Sequence, residues 1–471
     1  MTARIARAAI GGAMLLGLAL RIATARGGLW VDEAWSARFV AQAGDVVGVV
    51  WRINHDNNHF LNSWWMLLVG PYAPPMLVRA LSIASGVAAV AVAGAIGLRR
   101  SAATGILAAL LFAVSPILVA YGAEARGYAP MVLVMLVSVL VIDRWLDGET
   151  PAPAWRLGAL TLLGMLAQFT YVFALCAFGG WIVVTLARRG SVDAAVRQTM
   201  RTLAPSIGAL VLIVALVVAA ARASTPGFQV GGYIDFTVAV LIDGVAEAIA
   251  YTLGLALGPP ILTVAIAAAA VVAAILLDRG ATGRRYLYVF ALLAFPAALA
   301  MSRIGNTGFA RYYLVLCVAL LLLVADVAGV AIARGGWRRG VALTLVALVV
   351  VASLARDRAL ATALRGDPAR AIAAMRAAAP AGTSVGVDTI RPTAVLDAAA
   401  RTARYPLAIR QRCPAAFVFA DLEDHGPAPA TLDRCGQRYA YVTVGRHVAL
   451  SGFEWALYAR VPPQSAYSSK N

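Results

Sequence analysis

The chain has 471 residues, 61% of them hydrophobic and 13% charged, with a formal net charge of +17; a soluble domain carries roughly 25% charged residues. So few polar side chains cannot cover a water-facing surface, which excludes a soluble enzyme, a disordered protein and a disulfide scaffold, and leaves a polytopic membrane protein. The positive charge is almost all arginine, Lys470 being the lone lysine, and it lies in short blocks between apolar runs, as the positive-inside bias arranges it and not as a nucleic-acid partner would require.

Apolar stretches close to spanning length, about 20 residues, fall near 8–25, 76–98, 102–121, 129–146, 155–169, 171–187, 203–221, 255–277, 286–302, 311–333 and 340–355. The expected fold is therefore mostly α, an integral membrane body at 1–355 with about 11 transmembrane helices. Arg4 with Arg7, Arg99 with Arg100, Arg144 with Arg156, the run Arg188 to Arg201, Arg279 with Arg284 and Arg285, and Arg334 with Arg338 and Arg339 are expected on the cytoplasmic side. That assignment requires 236–253, with Asp243 and Glu247, to lie on the outer surface as an amphipathic or re-entrant helix, since bare carboxylates at mid-membrane are costly.

Arg4, Arg7, the first apolar run and Ala23-Thr24-Ala25 also fit a cleavable signal peptide. We read the run as a retained helix, with Arg21 snorkelling to the outer interface. Either way the loop 26–75 and the tail 356–471 lie outside. In the tail, helix-like 367–379 and 392–401 alternate with strand-like 384–388, 416–420, 439–444 and 454–461, the pattern of a small α/β domain. Cys413 and Cys435 can pair if that domain is exported, whereas Cys176 and Cys317 sit in apolar runs as core residues.

Four polar clusters gather on the expected outer side. In Trp30-Val31-Asp32-Glu33-Ala34-Trp35, one carboxylate can act as a general base, or Asp32 can cap a helix whose first turn favours Glu33. Glu33 is expected to support it, by orienting the loop or touching sugar. In His55-Asp56-Asn57-Asn58-His59, the ionisable side chains of His55, Asp56 and His59 suit a divalent metal if both histidines share a helical face, or a rim that contacts sugar and phosphate. Glu124-Ala125-Arg126-Gly127-Tyr128 can pair its arginine with a lipid phosphate or tether two helices, and Arg311-Tyr312 offers a second phosphate clamp or an interfacial arginine.

These segments, with Asn58-His59-Phe60-Leu61, Arg79-Ala80-Leu81-Ser82 and Ser115-Pro116, resemble the GT-C glycosyltransferases, in an order similar to the protein O-mannosyltransferase and aminoarabinose-transferase branch. The proline that follows the family's histidine is replaced by Phe60. The resemblance implies a hexosyl- or pentosyltransferase of the bacterial plasma membrane. It would move a sugar, with inversion, from a polyprenyl-phosphate carrier to a cell-envelope glycan, lipid or protein on the non-cytoplasmic face. Asp32 is then the base, and Glu33, His55, Asp56, His59, Glu124, Arg126, Tyr128, Arg311 and Tyr312 meet substrate; no cofactor is assigned, with a divalent metal left open. The competing class is a transporter or flippase for a lipid-linked or small solute. It separates from the enzyme by geometry, because only the enzyme needs Asp32, Arg126 and Arg311 on one cavity.

Overall fold

The computed structural model describes residues 3–462 apart from 226, 256–257, 278–282, 412–413, 423–425 and 449. Arg279, Cys413 and Lys470 therefore lie outside the described residues, and so does the Cys413–Cys435 pairing.

Among the described residues each expected apolar stretch is helical over most of its length, the one at 255–277 from Pro260 onward, and seven helices are long and apolar enough to cross a membrane. The stretch at 102–121 is two helices, Ala102–Val114 and Pro116–Tyr121. Pro116 has no N–H to give to the carbonyl four residues earlier, and that carbonyl, Phe112 O, is taken by Arg21 Nη2 at 3.3 Å. Arg21 also donates to Gly17 O (3.0 Å) and Ala113 O (3.4 Å) and is 1% exposed. The expected snorkelling to the interface is thus corrected: the broken helix beside it offers orphaned carbonyls, and Arg21 turns inward to meet them. The stretch at 203–221 begins earlier, as one helix Val192–Ala223 capped by Ser191, so Arg197 and Arg201 lie on its first turns and not in a loop. Residues Val238–Leu253 form a separate helix whose buried face packs under the loop at 307–313.

Helices Ala80–Leu98 and Tyr128–Leu146 pack side by side in the same direction, Ser82 Oγ donating to Arg126 O (2.9 Å) where they start and Arg99 meeting Asp143 where they end. At one end Arg99 meets Asp143 (2.7 Å), Asp147 (2.5 Å) and Glu149 (2.9 Å), while buried Arg284 bridges Asp143 (2.7 Å) and Asp326 (3.3 Å). Tyr288 donates to Asp326 as well. Asp326 also meets Arg100 Nε at 3.2 Å, so it is a matched charge in this network.

The last long helix, Gly336–Ala363, passes the expected boundary at 355 before the sheet domain begins. Its exit is a run of left-handed residues, Leu364 (φ 49°), Arg365 (56°), Gly366 (87°) and Asp367 (34°). Such conformations are costly outside glycine and are held here by hydrogen bonds: Arg365 donates to Thr24 O and Ala120 O, both at 2.9 Å, and Asp367 accepts from Gly28 N at 2.8 Å. The sheet is β1 (Thr383–Val387), β2 (Leu407–Arg410), β3 (Phe417–Asp421), β4 (Thr431–Arg434), β5 (Gln437–Gly445) and β6 (Trp455–Arg460), in the order β2-β1-β3-β6-β5-β4. β1 is parallel to β2 and β3, and the other pairings are antiparallel. Helices Ala369–Ala378 and Arg391–Thr402 cover it, and its buried face shares one apolar core with the helices of the loop 31–69. The sheet domain is therefore packed onto the membrane body and not strung from it.

Candidate active site

Between the helical body and the sheet domain lies a cavity of about 850 Å³. Its walls come from segments far apart in sequence: Asp32 and Trp35 from the first loop, His55 to Asn57, Tyr121 and Arg126, Glu247, Arg311, and Arg391 and His447 of the sheet domain.

The local sequence explains why Asp32 faces this space. The helix Val31–Ala43 starts from Trp30, and the Trp30 N–H is taken by Glu33 Oε2 at 3.2 Å. The capping task expected of Asp32 thus falls to Glu33, a capping-box arrangement, and the Asp32 carboxylate is left to the cavity. It meets Arg126 Nη1 at 2.5 Å and Arg311 Nη1 at 3.6 Å. Two guanidiniums around one carboxylate leave one positive charge in excess, suited to an incoming anion.

Arg126 is fixed on every edge. Its Nη2 donates to Asn57 Oδ1 (2.7 Å), its Nε to His59 Nε2 (3.2 Å), and its plane lies 4.9 Å from the Tyr128 ring. Asn57 in turn donates to Asp32 O at 2.7 Å and to Ser36 Oγ at 3.0 Å, so one amide holds both members of the pair. Burial and then the Arg126 charge push the His59 imidazole well below its usual range, which keeps it neutral and able to accept from Arg126. Gly127 is obligatory beside them, because a Cβ there would meet Ala167 O at 1.7 Å. Arg311 lies 4.2 Å from the Phe309 ring and 5.6 Å from that of Tyr312.

Several residues expected to meet substrate lie away from the cavity wall. Glu33 is 0% exposed and lies behind the cavity, clasped by Arg79 Nε (2.9 Å) and Nη2 (2.5 Å) and by Ala125 N (2.6 Å). Burial works to raise its carboxyl, but the Arg79 charge and hydrogen bonds prevail and hold it below the usual range. Glu33 is thus placed for the first of the two roles expected of it, orienting the loop from behind the cavity. Glu124, also 0% exposed, does not orient Arg126: it accepts from Ser451 Oγ and sits 3.5 Å from Arg365 Nε, with its carboxyl raised chiefly by burial. His59 and Tyr128 are 3% and 1% exposed and form the seat under Arg126, not a wall of the cavity. Tyr312 does not line the cavity either; it backs Arg311.

The metal option loses its geometry. Residues 55–59 precede the helix Phe60–Val69, so His55 and His59 do not share a helical face. His55 Nδ1 is 2.8 Å from Asp56 Oδ1, while His59 faces Arg126. Asp56 lines the cavity and accepts from Gly231 N at 3.0 Å; burial tends to raise its carboxyl, but the bonds from His55 and Gly231 bring it below its usual range. Residues missed at the sequence level are Asn57, hidden in a polar run where only its neighbours carried charge, and Glu247, read solely as a reason for a helix not to cross. Glu247 lines the cavity near Arg311, and its carboxyl is raised, first by burial, despite the Ala310 N–H and the Arg311 charge.

No family model and no curated protein sequence matches this chain. Among solved structures it is similar to ArnT from Cupriavidus metallidurans in the apo state, at 15% identity and a TM-score of 0.48 over 96% of this chain and 98% of that one.

Proposed function

We propose that the chain is an inverting membrane glycosyltransferase that moves a sugar from a polyprenyl-phosphate carrier to a cell-envelope acceptor. The observation that carries this reading is the Asp32 carboxylate set between Arg126 and Arg311 on the wall of one large cavity. That convergence also separates it from the transporter or flippase reading, in which these residues have no reason to meet.

The donor phosphate is a diester whose two non-bridging oxygens share one negative charge, and it competes with Asp32 for the guanidiniums. Arg126, pinned by Asn57, His59 and Tyr128, keeps its plane and offers its Nη1 edge to phosphate. Charge-assisted hydrogen bonds from a fixed fork are the strong kind. Asp32, freed of part of its ion pair, accepts the proton of an acceptor hydroxyl. The oxygen attacks the anomeric carbon opposite the phosphate, the carbon–oxygen bond to phosphate breaks, and its electron pair stays on the phosphate oxygen. Both arginines stabilise that developing charge, where preorganised donors count most. Configuration inverts because attack and departure lie on opposite faces.

The test is Asp32→Asn, which removes basicity and the competing charge while keeping shape. Native mass spectrometry of the purified protein should find a polyprenyl-phosphate lipid retained at least as well as in the wild type. Transfer from membrane-extracted lipid-linked sugars should fall by about 10²–10⁴-fold, the usual contribution of a general base. Normal transfer by this variant removes the assignment.

A further inference from the structure

The sheet domain contributes a wall of its own to the cavity, through Ile390, Arg391, His447 and Leu450. The strand order explains why that wall is shaped to receive a ligand. From β1 the chain passes through the helix Arg391–Thr402 to β2 on one side, then returns as β3 on the other side of β1. In a parallel sheet, such a reversal opens a crevice at the carboxyl ends of the two central strands, where ligands bind. Ile390 and Arg391 follow the end of β1, and Asp421 ends β3, with its Oδ2 3.8 Å from Arg391 Nη1. The β5–β6 connection bearing His447 crosses the same end, since Trp455 pairs with Asp421 on one side and Gly445 on the other.

We propose that this crevice is an acceptor subsite for a neutral oligosaccharide, holding the sugar units next to the one whose hydroxyl reacts at Asp32; it rests on the glycosyltransferase reading above. The chemistry of the wall selects that class. A sugar ring shows an apolar C–H face and a rim of hydroxyls, and here apolar Ile390 and Leu450, with Trp30 and Trp35 in the same cavity, accompany the polar Arg391 and His447. The Arg391 charge is countered by Asp421, and the His447 ring lies 3.8 Å from Glu454. They therefore present hydrogen-bonding groups without the uncompensated charge that an anionic headgroup would draw on. A peptide strand would need an open sheet edge, but the edge strands β2 and β4 contribute nothing to the cavity. A volume of about 850 Å³ stands toward the upper end of the ~300–1,000 Å³ of ligand pockets, enough for a donor head and acceptor sugars together.

The test uses the full chain in nanodiscs and a panel of labelled arabino-, manno-, galacto- and gluco-oligosaccharides, from disaccharide to hexasaccharide. Undecaprenyl phosphate is measured on the same samples by native mass spectrometry. The wild type should retain at least one oligosaccharide; Arg391→Ala and His447→Ala should each weaken it about tenfold and leave undecaprenyl phosphate binding unchanged. That unchanged binding certifies the fold; if an alanine variant loses both ligands, Arg391→Lys and His447→Gln decide instead. The subsite is overturned if no oligosaccharide binds the wild type, if folded variants bind as it does, or if a Ser/Thr-rich peptide or anionic vesicle competes for the same residues. Loss of undecaprenyl phosphate by the wild type with oligosaccharide still bound overturns the donor reading and leaves the subsite standing.

Discussion

At the scale of single residues the chemistry turns on how tightly Arg126 is held. A lysine there keeps the charge, but it cannot bond Asn57, His59 and Asp32 at once from one plane. Arg126→Lys should therefore lower transfer at least tenfold and weaken retention of a polyprenyl-phosphate lipid, measured by activity and native mass spectrometry; an unchanged variant would reduce Arg126 to a tether. The neutral His59 beneath it carries a pH signature. Its folded pKa lies below the unfolded value of about 6.5, so as pH falls through that value the unfolded chain binds a proton that the folded chain refuses. Stability should then decline below about pH 6.5, and the midpoint of thermal unfolding should fall less steeply with acid in His59→Gln than in the wild type. Equal slopes would mean that His59 titrates freely. The sequence showed Arg126 and Arg311 as isolated arginines on the outer side, against the positive-inside bias, and Asp32 as one of two adjacent carboxylates between tryptophans, which is why they could be picked out. It could not show which of two adjacent carboxylates faces the cavity, because that depends on Arg79, a partner 46 residues from Glu33.

At the scale of elements, the Glu33–Arg79 pair is the joint on which the site is hung. Arg79 also donates to the carbonyls of Ala25 (2.6 Å), Gly27 (3.0 Å) and Gly28 (2.8 Å), and Glu33 accepts from Ala125 N, next to Arg126. Three segments thus meet on one buried ion pair. Removing one member of such a pair leaves the other charge stranded, at a cost of about 3–5 kcal/mol. Glu33→Ala should therefore unfold at markedly lower temperature than the wild type, while Asp32→Asn, at the cavity wall, should unfold near it. A reversed order in a thermal-shift assay would exchange the two roles. Helices were legible here because each apolar stretch is long, whereas the break at Ser115-Pro116 leaves hydropathy unchanged and arises from the donor that proline lacks. Strands β2 and β4 were not: each has four residues, with no buried row to mark a face. Being edge strands of the sheet, they are held by ladder hydrogen bonds, which leave no trace in hydropathy.

At the scale of the whole molecule, two polar assemblies lie at opposite ends of the same helices. Tyr128 begins a 19-residue helix beside the cavity, and Asp143 and Arg144 near its other end belong to the arginine network. Nineteen residues at about 1.5 Å each span about 28 Å, close to the roughly 30 Å hydrocarbon core. Charged networks at both ends, with apolar surface between them, fix the depth of the protein in the bilayer. The arginine blocks then orient it, since clustered arginine near helix ends stays on the cytoplasmic side. The cavity and the sheet domain should accordingly share the opposite face. Single cysteines at Val47, Thr431 and Gly190, all exposed, provide the measurement. In intact cells an impermeant maleimide should label Val47→Cys and Thr431→Cys above the background of the unsubstituted protein, and should label Gly190→Cys only after lysis. Labelling of Gly190→Cys in intact cells together with silence at the other two would invert the molecule. The Asp32 site would then face the cytoplasm, and the acceptor would have to be sought there and not in the cell envelope. Labelling that splits Val47 from Thr431 would be more damaging, because the loop and the sheet domain share one apolar core and cannot lie on different sides of a bilayer.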